Sequence, residues 1–273
     1  MFSFLSNFFQ KNHIDTFAPL PLSACRITRP YLLDHAGIKD GSVVLFAVPY
    51  FSPACLDEKR NLSSYAVARD YHLFFKSLFD ELLPQLRRRF PSNRFAGFSD
   101  HSPIAEIEAA ARAGLGVIGK NRLLITKKYS SYVFIGELIT DAMVPCQAGE
   151  ITACENCGRC DAVCPMKKSG CLSELTQKKG NLTEDEARIL LESGTVWGCD
   201  LCQEVCPHTM DALQSGSIFS PIPYFNQETL ACMQLSTLDA MSDTAFSSRA
   251  YAWRSKETIR RNLILFENQG KEN

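Results

Sequence analysis

Eight of the twelve cysteines in this 273-residue chain lie between positions 154 and 206, in and between two closely spaced runs. The first run, CENCGRCDAVCP at 154–165, has the spacing C-x2-C-x2-C-x3-C-P, and the second, GCDLCQEVCP at 198–207, has the spacing C-x2-C-x3-C-P. A small secreted disulfide scaffold would be shorter and would spread its cysteines along the chain. Clustered thiols therefore indicate metal binding in a reducing cytoplasm.

The first run has the spacing with which bacterial ferredoxins hold a 4Fe–4S cluster. Three thiolates on one tight loop bind three irons, and the fourth cysteine ligates the other cluster in two-cluster proteins. The second run lacks the first cysteine of a full motif, and Cys171 between the runs can fill that place. The sequence therefore predicts two clusters, one bound by Cys154, Cys157, Cys160 and Cys206 and the other by Cys171, Cys199, Cys202 and Cys164.

Zinc is the alternative metal for these thiols. A zinc site would explain neither the two Cys-Pro endings nor the crossed ligand pattern. The remaining cysteines are predicted to be ordinary packed or exposed thiols, with Cys146 as a candidate spare ligand just before the first run; they are Cys25, Cys55, Cys146 and Cys232.

The elements that must position these thiols belong to an ordinary globular chain, 45% hydrophobic and 22% charged, with a formal net charge of −1. That balance provides no global basic field for nucleic acid. The N-terminal stretch MFSFLSNFFQ lacks the features of a signal peptide or membrane span. Its apolar residues at 2, 5, 8 and 9 fit one face of a helix, which we expect to pack on the core; a contact with a membrane surface or a partner is the alternative.

Further along the chain, strands and helices alternate in a pattern that predicts an α+β layer fold. Strands are predicted at 42–50 and 94–99, and a helix at 63–90, where Pro84 is a candidate kink or end. A second helix is predicted to begin at Ser102 as N-cap and to run to Gly114. The runs at 115–126 and 131–140 are each predicted to form a strand, and 249–268 to form a C-terminal helix.

Three segments follow from this pattern: a substrate-binding domain at 1–145, a ferredoxin-like module at 146–212, and a C-terminal segment at 213–273 that packs back on the body. The first segment is longer than an electron carrier needs, which favours an enzyme over a ferredoxin-like carrier. Neither GxGxxG nor GxxxxGK[ST] is present, so nucleotide-phosphate binding is not indicated. The residues alone therefore lead to an iron–sulfur oxidoreductase.

Several stretches, in this order, resemble the epoxyqueuosine reductase family. They are SYAVARDYH at 64–72, DHSPIAEIEAAARAGLGVIGKNRLLI at 100–125, FIGELITD at 134–141, both cysteine runs, CLSELT at 171–176, and AWRSKETIRRNLILF at 252–266. The resemblance implies a cobalamin- and iron–sulfur-dependent enzyme of queuosine modification in tRNA, related to cobalamin-dependent reductive dehalogenases. It further implies an N-terminal α/β-layer cobalamin-binding domain followed by a double 4Fe–4S module.

Residue roles follow from the same resemblance. The family's cluster ligands fall on the eight cysteines paired above, and its proton donor falls on Asp100. Electrons would pass from a cluster to cobalt, and Asp100, protonated in a dry pocket, would protonate the opening epoxide. Without the resemblance, Asp100 is equally typical of a turn before a helix. Candidate cobalamin contacts in matching stretches are Tyr65, Arg69, His72, Lys120, Leu124, Ser173 and Asp200.

The partners that the resemblance implies are an external electron donor such as ferredoxin or flavodoxin, and tRNA, with no membrane. Candidate basic contacts are Lys167, Lys168, Lys178 and Lys179 beside the cysteine runs and Arg87, Arg88 and Arg89. Longer family members continue into C-terminal helical repeats, so the chain ending at Asn273 resembles a short form. The alternatives are a cobalamin-dependent reductase of another small molecule, a ferredoxin-like carrier, and an iron–sulfur nucleic-acid-binding module.

Overall fold

The computed structural model describes residues 1–167 and 170–272, with only the backbone at 269–272. The chain forms two compact units that interleave along the sequence. The sheet unit comprises Met1–Tyr50, His72–Cys157 and Asp211–Ile222. The helical unit comprises Phe51–Tyr71, Gly158–Met210 and Pro223–Asn273. The predicted functional division at residues 145 and 212 stays a prediction.

The sheet unit is built on one four-stranded antiparallel sheet with the strand order β1-β2-β6-β3, and a separate two-stranded hairpin. Its strands are β1 Thr16–Pro21, β2 Ser42–Pro49, β3 Phe95–Phe98, β4 Val117–Ile118, β5 Leu124–Ile125 and β6 Val133–Thr140. Its helices are α1 Phe2–Lys11, α2 Pro30–Ala36, α3 Tyr71–Arg89, which begins one residue before the unit, and α4 Glu106–Arg112. Every residue of β2 is buried, as its apolar, β-branched sequence predicts.

Helices cover both faces of this sheet. Alternate side chains of β2 point to opposite faces, and all of them are buried, so each face needs a covering layer. On one face, Phe46 contacts Phe9 of α1 at a ring-centroid distance of 4.7 Å and Phe75 of α3 at 6.0 Å. On the other face, Val43 and Leu45 belong to the core cluster that includes the alanines of α4. This packing holds α4, and the loop that precedes it, close against the central strand β6.

The helical unit surrounds two smaller apolar clusters. Its helices are α5 Arg159–Val163, α6 Leu172–Thr176, α7 Glu184–Ser193, α8 Leu201–Glu204, α9 Pro207–Gln214, which contributes residues to both units, α10 Leu235–Ala240, α11 Asp243–Ser247 and α12 Lys256–Glu272. Trp197 and Tyr251 are fully buried in the larger cluster. The buried Asn262 of α12 donates hydrogen bonds to the carbonyls of Thr176 and Val196, both at 2.8 Å, which ties α12 to the segment between the cysteine runs.

Several predictions about the elements are confirmed. The N-terminal helix exists and buries Leu5, Phe8 and Phe9. The strands predicted at 42–50 and 94–99 correspond to β2 and β3, and the mixed α/β architecture is present. No helix within residues 1–167 and 170–272 is long and apolar enough to cross a membrane.

Other boundaries predicted from the sequence were wrong. The helix predicted at 63–90 begins only at Tyr71, after a 3-10 turn at Ser64–Ala66, and continues through Pro84. The run predicted as one strand at 115–126 folds into the β4–β5 hairpin, since Arg122 adopts a positive φ of 66° in its turn. The C-terminal helix begins at Lys256 rather than 249.

Ser102 does not cap α4, which begins at Glu106 with Ala105 as its N-cap. Instead, the Ser102 hydroxyl donates to a carboxylate oxygen of Glu137 on β6 and accepts from the backbone N–H of Ile104. The cap prediction was wrong because a buried partner 35 residues away uses the hydroxyl.

Candidate functional site

Asp100 lies in the sheet unit, in the loop between β3 and α4, with a positive φ of 59°. Its Oδ2 is 3.5 Å from His72 Nε2, and the two side chains are 50% and 53% exposed. The resemblance predicted roles for both residues, and the structure brings them together. The protein itself leaves half of the Asp100 side chain exposed, so a dry environment would have to come from a bound substrate.

Asp100 lines a cleft of about 510 Å³ that also has a basic wall. Arg29 and Arg122 contribute cationic side chains to that wall. The loop that carries Asp100 is tethered below the cleft, because Arg29 Nη1 donates to the Ser102 carbonyl at 2.9 Å and the Ala105 N–H donates to the Arg26 carbonyl at 2.9 Å. The cleft therefore combines arginines that can bind an anionic group with three carboxyl groups, those of Asp100, Glu106 and Glu108.

Two further carboxyl groups, which the sequence analysis missed, belong to this region: Glu106 lines the cleft, and Glu137 is buried near it. Burial and, to a lesser extent, the charge of Asp100 raise the pKa of Glu106 to about 7, against the opposing effect of Arg29. Burial, together with the charge of Glu106, raises the pKa of Glu137 to about 8, against the opposing effect of the Ser102 hydrogen bond. The sequence signal was a single glutamate inside the otherwise apolar strand VFIGELIT.

All twelve cysteines are free thiols. Burial, with smaller contributions from the charges of Cys202, Asp200 and Cys171, raises the pKa of the Cys199 thiol to about 12, against the opposing effect of the Leu201 N–H. The electrostatic effects of Cys171 and Cys202 on the Cys199 thiol show that both lie near it. All three belong to the helical unit, as does Cys164.

Two contacts describe the surroundings of the cysteine runs. Helix α5, which holds Cys160, packs against α8, which holds Cys202. The backbone N–H of Lys120 donates to Cys154 Sγ at 3.3 Å, the type of contact that stabilises a thiolate. Four soft, reduced sulfur donors on short loops fit an iron–sulfur cluster by their chemistry.

The full ligand sets stay predictions. Cys154 and Cys157 belong to the sheet unit, and Cys160 and Cys206 to the helical unit. In the part of the chain that the structure describes, no group of three or more His, Cys, Asp or Glu side chains is positioned to hold a metal ion. Of the remaining cysteines, Cys55 is buried, and Cys146 donates to the carbonyl of Val144 at 3.0 Å.

The four candidate cobalamin contacts of the helical unit differ in the hydrogen bonds and ion pairs that they already make within the protein. The hydroxyl of Tyr65 accepts from Trp197 Nε1 at 2.8 Å. Arg69 pairs with Glu228 at 3.2 Å, yet its Nε is buried and has no hydrogen-bond partner among the described residues. Ser173 Oγ accepts from Gln177 Nε2 at 3.1 Å.

Asp200, the fourth, is committed to the protein. It is 3% exposed, and its carboxylate accepts from the Ser64 N–H at 2.6 Å, Arg60 Nη1 at 2.9 Å and Gln203 Nε2 at 3.1 Å, besides the Ser63 hydroxyl. In this structure the side chain fixes the 60–64 loop to the second cysteine run.

The three candidate contacts of the sheet unit are His72, Lys120 and Leu124. His72 lies beside Asp100, as described above. Lys120 is exposed in the hairpin turn, whereas Leu124 is 3% exposed and packs in the core. The role of each of the seven residues toward cobalamin stays a prediction.

The predicted basic contacts are mostly exposed. Arg87, Arg88 and Arg89 end α3, and the Arg89 guanidinium lies over the Phe4 ring, 5.2 Å from its centroid. Lys178 pairs with Glu186 at 2.7 Å, while Lys168 lies outside the described residues. Lys167 and Lys179 are both exposed.

No protein-family model matches the chain. The chain is 32% identical over 209 residues to an epoxyqueuosine reductase from Lactococcus garvieae, covering 71% of this chain and 58% of that protein. It is 33% identical over 214 residues to one from Listeria monocytogenes, covering 72% and 54%. With one from Pseudomonas aeruginosa, the identity is 35% over 171 residues, covering 58% and 46%.

The chain is a relative of the epoxyqueuosine reductases. The family resemblance predicted from its motifs is confirmed, and the aligned segments account for 46% to 58% of the length of these three relatives.

Solved epoxyqueuosine reductases share the fold. The structure from Streptococcus thermophilus has a TM-score of 0.77 at 22% identity and covers 97% of this chain and 80% of that one. An epoxyqueuosine reductase bound to a stem loop of epoxyqueuosine-modified tyrosine tRNA has a TM-score of 0.75 at 24% identity, covering 97% and 80%. In the structure from Bacillus subtilis, with a TM-score of 0.75 at 22% identity, covering 97% and 81%, the loop of a catalytic aspartate is swung out of the active site.

Proposed function

We propose that this protein is an oxidoreductase that reduces epoxyqueuosine to queuosine in tRNA, using two 4Fe–4S clusters and cobalamin. The observation that carries the proposal is the position of Asp100, a half-exposed carboxyl group in a cleft shared with Arg29 and Arg122, in a chain related to epoxyqueuosine reductases. A loop with a catalytic aspartate in the Bacillus subtilis enzyme supports the same role for the Asp100 loop.

Asp100 acts as a general acid in this proposal. As the epoxide C–O bond opens, negative charge develops on oxygen, and a carboxyl group within reach lowers the barrier by protonating it. His72, at 3.5 Å, orients the carboxyl group. Arg29 and Arg122 on the cleft wall favour the phosphates that flank a modified nucleotide.

The eight cysteines of the two runs would hold the clusters, which deliver single electrons when bound. Their free thiols and the proximity of Cys171, Cys199 and Cys202 support this assignment. We extend it to a ferredoxin-like two-cluster module, fed by an external donor such as ferredoxin or flavodoxin in the cytoplasm. The exposed Lys167 and Lys179 suit an acidic protein donor.

Cobalamin would supply the low-potential chemistry at the epoxide carbon, as the resemblance implies. Its corrin ring carries amide side chains that both donate and accept hydrogen bonds. Within residues 1–167 and 170–272, the buried Ser64 Oγ and Arg69 Nε have no partner, and such amides would satisfy them. Tyr65, beside Ser64, and Arg69 are therefore the predicted contacts in the helical unit that fit the group best.

A cobalamin titration of the anaerobically reconstituted full chain tests the proposal. We expect micromolar cob(II)alamin to bind with a change in the visible spectrum, in protein that holds about eight irons. Arg69→Ala should weaken binding, whereas Arg188→Ala, an exposed arginine paired with Asp185 on α7, should not. Eight irons without cobalamin binding would leave an electron carrier and remove the reductase proposal.

A further inference from the structure

The proposed reaction needs more protons than Asp100 holds. Converting an epoxide to an alkene and water consumes two electrons and two protons: one proton goes to the opening epoxide oxygen, and the other to the same oxygen as it leaves as water. Asp100 carries one acidic proton at most, so a second source must serve the cleft. The need for this second proton source rests on the proposed function.

Glu106 has the position for that role. It is the first residue of α4 and lines the same cleft as Asp100. Its Oε2 is buried without a hydrogen-bond partner in the described part of the chain. An ionised carboxylate would be poorly solvated there, whereas the neutral acid is tolerated.

Glu137 interacts electrostatically with Glu106, and a negative charge on either group favours the neutral form of the other. It is fully buried in the middle of β6, paired across the sheet with Leu45 and Phe98. The Ser102 hydroxyl donates to its Oε2, while its Oε1 has no partner among residues 1–167 and 170–272. One donor does not compensate the burial of a full negative charge.

Three arginines line the cleft together with Glu106: Arg29, Arg122 and Arg26, which pairs with Glu108. Asp100 disfavours a negative charge on Glu106, and Arg29 favours it. Toward Glu137, the facing groups are Glu106, the Ser102 hydroxyl and Cys25, whose own pKa burial raises to about 12, with Arg112 acting on Cys25 in the opposite direction. Because Glu106 and Glu137 are buried, ionising both of them beside Asp100 is unfavourable despite these arginines.

We propose that Glu106 is the second proton source of the cleft, acting through Asp100. Asp100 gives its proton to the opening epoxide oxygen; the Glu106 O–H bond then breaks and its proton passes to the Asp100 carboxylate, which delivers it to the departing oxygen. Glu106 becomes a carboxylate beside Arg29 and regains a proton from solvent between turnovers. The sequence runs downhill because a leaving hydroxide is a far stronger base than either carboxylate.

Glu137 has a supporting part. Neutral in the core, it brings no positive charge that would favour ionisation of Glu106. Glu106 is accordingly a proton-supplying residue rather than one that contacts the reacting atoms.

The test uses the full chain, with clusters and cobalamin bound, and a tRNA stem loop that carries epoxyqueuosine. The wild-type rate should fall as pH rises through about 7, since Glu106 loses its proton there. Glu106→Gln should lower the rate on the order of 100-fold and abolish that pH dependence, with the affinity for the stem loop unchanged. Glu106→Asp should restore part of the rate, and Glu81→Gln, an exposed glutamate on α3, should change nothing.

A second readout needs no substrate. Infrared titration should show a protonated carboxyl group in the wild type that ionises near pH 7 and is absent from Glu106→Gln. A Glu106 that is ionised throughout pH 6 to 8, or a Glu106→Gln enzyme with the wild-type rate and pH profile, would overturn the inference. An inactive but fully loaded wild type would refute the reductase function and this role, while the infrared result would still decide whether Glu106 stores a proton.

Discussion

At the scale of single residues, the backbone of Asp100 is informative. A positive φ of 59° is uncommon outside glycine, and aspartate is among the residues that tolerate it. Such conformations persist where the surrounding structure holds them and often occur at functional sites. Here the tethered loop from 99 to 105 holds the residue beside His72.

Replacing Asp100 by asparagine tests its proposed role as general acid. Asparagine keeps the size of the side chain and also tolerates a positive φ, so the fold should be unchanged. We expect a loss of 100-fold to 10,000-fold in single-turnover rate, on the order typical of general acid catalysis. Iron content and cobalamin binding, measured in parallel, should equal those of the wild type; a rate within threefold or so of the wild type would remove Asp100 from the chemistry.

The buried Glu137 makes a separate prediction about stability and pH. Its folded pKa of about 8 lies above the ordinary value of 4.5, so its contribution to stability is fully present below pH 4.5 and is lost as pH rises through 8. Glu137→Gln removes this loss. Between pH 5 and 8, the variant should gain on the order of 3 kcal/mol in unfolding free energy relative to the wild type, measured by urea denaturation. If the unfolding free energies of the wild type and the variant changed in parallel with pH, Glu137 would be ionised in the folded protein and the prediction would be wrong.

At the scale of elements, local sequence signals predicted strands and the N-terminal helix but not how α4 begins. β2 and one face of α1 are buried. The spacing of apolar residues along the sequence predicts which residues are buried, so both elements could be predicted. Ser102 looked like a helix cap, yet its hydroxyl binds Glu137 from another element. Cap propensity is a local preference, and a buried carboxyl group competes for the same hydroxyl.

Two glycines of the helical unit allow a matched test of packing around the second cysteine run. Gly198 and Gly194 both adopt positive φ, at 74° and 67°. A Cβ on Gly198 would lie 2.4 Å from the Cβ of Ser63, whereas one on Gly194 would meet nothing within 4 Å of it. We expect Gly194→Ala to cost about 1 kcal/mol and Gly198→Ala a further 1 to 3 kcal/mol, roughly, by thermal denaturation, with lower iron content only for Gly198→Ala. Equal effects would mean that the 63–65 loop does not constrain Cys199.

At the scale of the whole molecule, the spacing of the cysteines predicts eight cluster ligands from the sequence alone, because such ligation depends on short-range geometry, and this assignment stays a prediction. The cleft partners of Asp100 were not predictable in this way. Glu106 and Glu137 are 31 positions apart and approach only through the packing of α4 on the sheet. Among the candidate cobalamin contacts, Asp200 is fully engaged in hydrogen bonds inside the helical unit, and the role of every candidate stays a prediction.

The iron content of the protein tests the predicted ligands of the second cluster, which include Cys171. Cys171→Ala should reduce anaerobically reconstituted protein from about eight irons to about four, because one cluster loses a ligand. Cys232→Ala, outside both cysteine runs, should retain the full content. An unchanged iron content in Cys171→Ala would contradict the assignment of Cys171 and reopen a role for Cys146.

The most direct measurement is nucleoside mass spectrometry of tRNA that carries epoxyqueuosine, after anaerobic incubation with the reconstituted wild-type protein and a low-potential electron donor. We expect the modified nucleoside to lose one oxygen atom and become queuosine in the wild-type reaction, and to do so at least about 100-fold more slowly with the Asp100→Asn variant. An intact epoxide after incubation with wild-type protein that holds both clusters and cobalamin would contradict the proposed function.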